Sequence, residues 1–219
     1  MRITSLQPQT KDPDRINIFV DNQFLMGVNA LIALEMRLKV GQELTEGQVE
    51  RLRQEEALQQ AVGRAMNYLS FRPRSREEVR RYLERKETPG ELIEAVLARL
   101  EELELINDQA FAEFWLESRA RFNPKGAQAL RNELRQKGVA REVVDEVVDG
   151  GQDEEQARQA ARKKALLLVG QAGMDFKTFR SRLGPFLQRR GFNYEVATRT
   201  VRELWQELME DEGDCEEGE

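Results

Sequence analysis

Between Arg72 and Lys86 the chain reads RPRSREEVRRYLERK, seven cations against three acids in a protein whose formal net charge is -6. A guanidinium offers a planar fork of donors that matches carboxylate and phosphate oxygens. The chemistry open to Arg72, Arg74, Arg76, Arg80 and Arg81 is therefore recognition of an anion. Residues that make and break bonds are scarce. The 219 residues include no histidine, which excludes Ser-His-Asp and Cys-His catalysis, the usual zinc ligand sets and the commonest general base. The one cysteine, Cys215, sits among carboxylates in EDEGDCEEGE, where a thiolate is disfavoured. There is no glycine loop of a phosphate-binding type, and the acids of the tail lack the turn glycine and ligand spacing of a calcium loop. The expectation is a chain that binds rather than catalyses, without metal or cofactor.

The cations recur along the chain. Residues 119–141 hold seven bases and one acid, Glu133, and residues 158–190 hold nine bases and one acid, Asp175. Acidic stretches such as EVVDEVVDGGQDEEQ separate them. Lys86, Lys137 and Arg190 fall near predicted helix C-termini, where the helix dipole favours a cation. Arg80 and Arg131 have no such explanation, and neither do Arg72, Arg74, Arg76 and Lys125, which fall in loops and helix starts where the dipole disfavours them. With Arg81, Arg135, Arg180 and Arg189, these are the candidate residues for an anionic partner. No aromatic reads as interleaved with them in the manner of a base-stacking platform. Trp115, Phe111, Phe114, Tyr68 and Trp205 lie at helical spacing and are expected to pack.

The elements that must position these residues are mostly helices. Charged residues make up 34% of the chain and apolar ones 40%, a balance that suits solvent-facing helices better than a sandwich or barrel. In RINIFVDNQFLMGVN, Ile16, Ile18 and Val20 alternate, then Phe24, Met26 and Val28, around Asp21-Asn22; this predicts a β-hairpin, with strands confined to about residues 15–28. Helices follow, the second opened by a capping box of Thr45 and Gln48. From there an internal repeat appears. Shifting the chain by 51 residues superposes Pro73 on Pro124, Leu83 on Leu134, Lys86 on Lys137 and Val96 on Val147 without a gap. A third copy places Leu187 and Arg190 in the same register, with Gly184-Pro185 expected to kink or break its second helix.

Each repeat reads as three helices. Ser75, Asn123 and Asp175 are expected to open the second helices, Thr88-Pro89 and Asn193 third helices, and Asn107 or Asp108, and Asp153, first helices. The resulting expectation is an all-α protein of three tandem three-helix repeats stacked into an elongated curved array, with a small N-terminal β-hairpin plus helices. Residues 1–56 would hold the hairpin and two helices, and 57–107, 108–152 and 153–209 the repeats. Residues 210–219 would form an acidic, disordered tail. Without a secretory leader or a membrane-length apolar run, the chain is expected to be cytoplasmic, monomeric and free of membranes.

Three runs, YLSFRPRSREEVRRYLERK, LINDQAFAEFWLESR and PKGAQALRNELRQKGV, resemble the RecX regulatory proteins of bacteria in content and order. The resemblance rests on Leu69, Ser70, Arg72, Arg74, Ser75 and Glu78, on Asn107, Asp108, Phe111 and Ala112, and on Gly126, Leu130, Glu133, Leu134, Lys137 and Gly138. It is strong over about residues 57–149 and weaker in the third repeat. It implies a helical-repeat protein that binds the RecA recombinase filament on DNA, lies along its groove and restrains its ATP hydrolysis and strand exchange, meeting DNA as part of that filament, with weak direct DNA binding besides. The residues alone leave two other readings open, a direct DNA-binding module and an adaptor for another acidic protein.

Overall fold

The computed structural model describes the backbone of residues 1–216 and the side chains of residues 1–210. The chain is mostly helical, as composition and repeat predict, and it divides into two compact units: Met1–Arg72 with Val79–Leu105, and Pro73–Glu78 with Ile106–Glu219.

The first unit opens with three antiparallel strands in the order β1-β2-β3: β1 (Ile3–Pro8), β2 (Arg15–Val20) and β3 (Gln23–Asn29). Asp21 and Asn22 take φ of 48° and 62°, the left-handed pair that a two-residue hairpin turn needs. The turn is where the sequence puts it, but strands are not confined to residues 15–28. β1 has only Ile3 and Leu6 as apolar residues among Thr4, Ser5 and Gln7, too few for alternation to show. What fixes it is backbone: Ile3 N–H donates to Gln42 O at 2.9 Å and Gly41 N–H to Ile3 O at 2.8 Å, so residues 41–44 hold its outer edge.

Behind the sheet lie α1 (Ala30–Glu35) and α2 (Glu46–Leu69). The capping box forms: Thr45 Oγ1 accepts from Gln48 N–H, and Gln48 Oε1 accepts from Thr45 N–H. Val49 and Leu52 of α2 join Ile3, Ile18, Val28 and Ile32 in one buried cluster. Glu56, 4% exposed, ties helix to sheet, accepting Asn29 N–H at 2.7 Å and pairing with Arg15 Nη1 at 2.7 Å. The same helix continues to Ala61, Val62 and Ala65, buried where α2 packs on α4 (Gly90–Glu102). The boundary expected at residue 56 therefore falls inside a helix that serves both the sheet and the first repeat. α3 (Arg76–Arg85) completes that repeat, with Val79 and Leu83 buried.

The second unit holds α5 (Asp108–Phe122), α6 (Ala127–Gln136) and α7 (Arg141–Val147), then α8 (Asp153–Val169), α9 (Phe176–Arg189) and α10 (Tyr194–Glu216). Phe111, Leu134, Val144 and Val148 centre one core cluster, and Phe179, Leu183, Leu187, Val201 and Leu204 the other. α9 runs unbroken through Pro185. Losing one helical hydrogen bond and straining a turn costs about 3 kcal/mol, while burying Leu183 and Leu187 on either side returns roughly 1.5–3 kcal/mol each. The acidic segment from residue 210 begins as the end of α10, and residues 217–219 of the expected tail lie outside the described residues.

Two joints in this unit are built alike. The N–H that opens α3, at Arg76, donates to Asp108 Oδ1 at 2.8 Å, and the N–H that opens α6, at Ala127, donates to Asp153 Oδ1 at 2.8 Å. Each first helix thus lends its leading carboxylate to cap the second helix of the preceding repeat. In each joint a glycine with positive φ, Gly138 at 80° and Gly191 at 87°, follows a second helix. A β-carbon on Gly138 would overlap the Glu77 side chain, and one on Gly191 would overlap Ala129. Ser75 Oγ accepts from Glu78 N–H at 3.1 Å and donates to Lys137 O at 2.6 Å, and Gly126 N–H donates to Arg190 O at 3.0 Å.

Local capping signals fared unevenly against these joints. Asn107, Asp175 and Asn193 cap as expected. Asn123 does not open α6; it closes α5, and α6 starts at Ala127 behind Gly126. The delay follows from the joint, because Pro124 O accepts from Arg190 Nη1 at 3.2 Å and Gly126 N–H is already spent on Arg190 O. α4 begins after Pro89 with no side-chain cap, and the buried Thr88 hydroxyl makes no hydrogen bond.

Candidate anion-binding residues

The lone acid of the second cationic stretch organises the cations around it. Glu133, on the face of α6 turned to α5, accepts Trp115 Nε1–H at 2.9 Å and Arg119 Nε–H at 2.8 Å on one oxygen, and Lys125 Nζ on the other. Burial pushes its carboxyl up, but the three donors together outweigh burial and hold it below the ordinary glutamate range. The Arg119 guanidinium lies 4.5 Å and Lys137 Nζ 4.8 Å from the Trp115 ring centroid, distances at which a cation is attracted to the ring face. Lys137 also pairs with Glu78 at 2.6 Å. Three cations and two acids are used up on one another and on an indole, leaving little to offer a ligand.

Several candidates thus have internal work. Lys125 pairs with Glu133, Arg80 pairs with Glu94, and Arg131 Nη2 donates to Val148 O at 2.5 Å. The helix dipole gives these three no reason, but internal partners 8, 14 and 17 positions away in sequence do. Lys137 and Arg190 are structural as expected, through Glu78 and the Pro124 carbonyl rather than the helix dipole alone. Arg72, Arg74 and Arg76 are half-buried around the start of α3, whereas Arg81, Arg135, Arg180 and Arg189 are exposed. Arg135 stands 3.9 Å from Asp145 with both side chains nearly half exposed, a pairing worth about 0–1 kcal/mol. Arg180 and Arg189 make no ion pair with any described residue.

The aromatics divide in a way that sequence spacing did not foresee. Phe111 is buried, Tyr68 stacks on Tyr82 with centroids 4.1 Å apart, and Trp205 packs on Phe179 at 5.1 Å. Phe114 is more than a third exposed. Phe71 and Phe122 stand out in the solvent at 78% and 74% exposure. They lie among the cations after all, 51 residues apart and so at one position of the repeat. The sequence signal that could have found them is the absence of acids around both: residues 57–76 and 118–132 contain no Asp or Glu.

Concave space in the second unit does not suit an anion. A cleft of 410 Å³ is lined by Leu116, Leu130, Glu117, Asp149, Asp153 and Lys125, and its one lysine is held by Glu133. Burial raises the Asp153 carboxyl above the ordinary range, with Asp149 adding in the same direction. Among the described residues no group of His, Cys, Asp or Glu is placed to hold a metal ion, and no helix is long and apolar enough to cross a membrane.

Comparison with known proteins covers nearly the whole chain. Residues 1–45 match the regulatory protein RecX N-terminal domain, 61–100 the RecX first three-helix domain and 107–148 the RecX second three-helix domain. The regulatory protein RecX of Listeria welshimeri is 31% identical over 98% of this chain and 80% of its own, and that of Bacillus subtilis 31% identical over 95% and 79%. A crystal structure of a regulatory protein RecX superposes with a TM-score of 0.77 at 24% identity, covering 92% of this chain and 98% of the other. That of RecX from Lactobacillus salivarius gives 0.60 at 23%, covering 68% and 97%. With its sheet, its tandem three-helix domains and this identity along its length, the chain belongs to the RecX family of regulatory proteins.

Proposed function

We propose that this protein binds the RecA–DNA nucleoprotein filament and restrains its ATP hydrolysis, strand exchange and growth, as a cytoplasmic monomer with no catalytic activity of its own. The observation that carries the reading is the near-full-length kinship with proteins named regulatory protein RecX. Charge supports it. Arg81, Arg135, Arg180 and Arg189 are exposed cations on the second helices of three successive repeats, suited to an anionic surface, while the net charge of -6 weakens indiscriminate attraction to free DNA. The test is the single-strand-dependent ATPase of the recombinase with this protein added. Inhibition that rises with added protein and saturates supports the reading; an unchanged rate at excess protein removes it.

A further inference from the structure

Isolated exposed hydrophobic side chains are ordinary on protein surfaces. Two phenylalanines at the same repeat position, both about three-quarters exposed, are not explained that way. Phe71 follows the end of α2 and Phe122 ends α5; each directly precedes the Arg72-Pro73 or Asn123-Pro124 step that leads to a second helix. The packing that uses Phe111, Trp115 and Tyr68 in the same helices leaves them out.

Their electrostatic surroundings select the occupant. Phe71 lies in the acid-free stretch 57–76 beside Arg64 and Arg72, and Phe122 in the acid-free stretch 118–132 beside Arg121, in a chain with 40 acidic residues. The Arg121 guanidinium stands 5.2 Å from the Phe122 ring centroid. An apolar groove on a protein would ask for neither the clearance of acids nor the cations. An unpaired base asks for both, a flat π surface for the base and positive charge for the phosphate beside it.

We infer that Phe71 and Phe122 are two stacking platforms, one per repeat, for the bases of single-stranded DNA. Within the proposed function, on which this inference builds, they would take bases of the strand that the filament carries. Each platform acts within its own repeat and needs no particular arrangement of the other.

The experiment measures binding of the intact protein to a fluorescent 15-nucleotide oligothymidylate and to an abasic strand of equal length and charge. Stacking predicts that wild type prefers the strand with bases. Phe71→Ala and Phe122→Ala should each weaken that affinity about tenfold, equivalent to about 1.4 kcal/mol, leave affinity for the abasic strand unchanged, and be rescued by Phe→Tyr. No preference for bases in wild type, equal losses on both strands, or a double alanine variant that binds as wild type would each overturn it. Inhibition of the recombinase ATPase by the same variants separates the two claims. Lost inhibition with oligonucleotide binding intact would mean that the rings meet protein, which overturns the platforms and keeps the filament reading. Failure of wild type to inhibit, with the alanine losses and their tyrosine rescue as stated, keeps the platforms and removes the filament reading.

Discussion

Glu133 shows how little a count of charges says about which charges are available. As the one acid among seven bases between residues 119 and 141 it reads as an incidental break in a cationic stretch, yet it collects Trp115, Arg119 and Lys125. A carboxyl held below its ordinary value stabilises the fold above the unfolded-state pKa, about 4.3, and loses that contribution as pH falls through its lower folded value. Glu133→Gln should therefore be less stable than wild type at pH 7, with the gap closing as chemical denaturation is repeated below about pH 4.3. Asp153 has the opposite sign. Its carboxyl is raised by burial, so the folded state gains as pH falls through that value, and the charge is not what it contributes at pH 7. Asp153→Asn, which keeps an acceptor for Ala127 N–H, should hold wild-type stability or exceed it, whereas Asp153→Ala should lose about 0.5–2 kcal/mol as a missing cap. Equal losses in both would show that the charge matters after all.

The helical elements were legible because their apolar positions recur at fixed offsets. Leu83, Leu134 and Leu187 are all fully buried, and Leu134→Ala should cost about 2–5 kcal/mol in a denaturation midpoint. What sequence could not show were contacts made across the repeat. The carboxylates of Asp108 and Asp153 look like ordinary first-turn acids until they are seen bonded to Arg76 N–H and Ala127 N–H. Asn123 looks like a cap because the joint that displaces it is set by Arg190, 67 positions on. β1 escaped notice because backbone pairing with β2 and with residues 41–44 holds it, rather than an apolar alternation of its own. The joints also explain the residues that betray the family: Ser75, Glu78, Asp108, Lys137 and Gly138 meet in one of them. Gly138→Ala, at φ 80° and against Glu77, should lower stability by more than about 1 kcal/mol, and a melting temperature equal to wild type would contradict the joint.

For the molecule as a whole, the helical class and the repeat were readable from composition and period, and the candidate partner surface only half so. Ten cations stood as candidates by segment and position. The structure half-buries Arg80, Lys125 and Arg131 against internal partners and exposes Arg81, Arg135, Arg180 and Arg189, with Arg135 within reach of Asp145, a difference in exposure that only the fold reveals. The central claim is that these outward cations meet the recombinase filament. It is tested most directly by titrating the fourfold variant Arg81→Glu, Arg135→Glu, Arg180→Glu and Arg189→Glu into the single-strand-dependent ATPase, beside a control that reverses the exposed Arg37, Lys39, Arg51 and Arg53. Exposed substitutions shift stability by about 0.5 kcal/mol or less each, so both variants should stay folded. The account predicts that the fourfold variant fails to inhibit, that the control inhibits as wild type does, and that wild-type inhibition weakens as salt shortens the screening length. Full inhibition by the fourfold variant would contradict it.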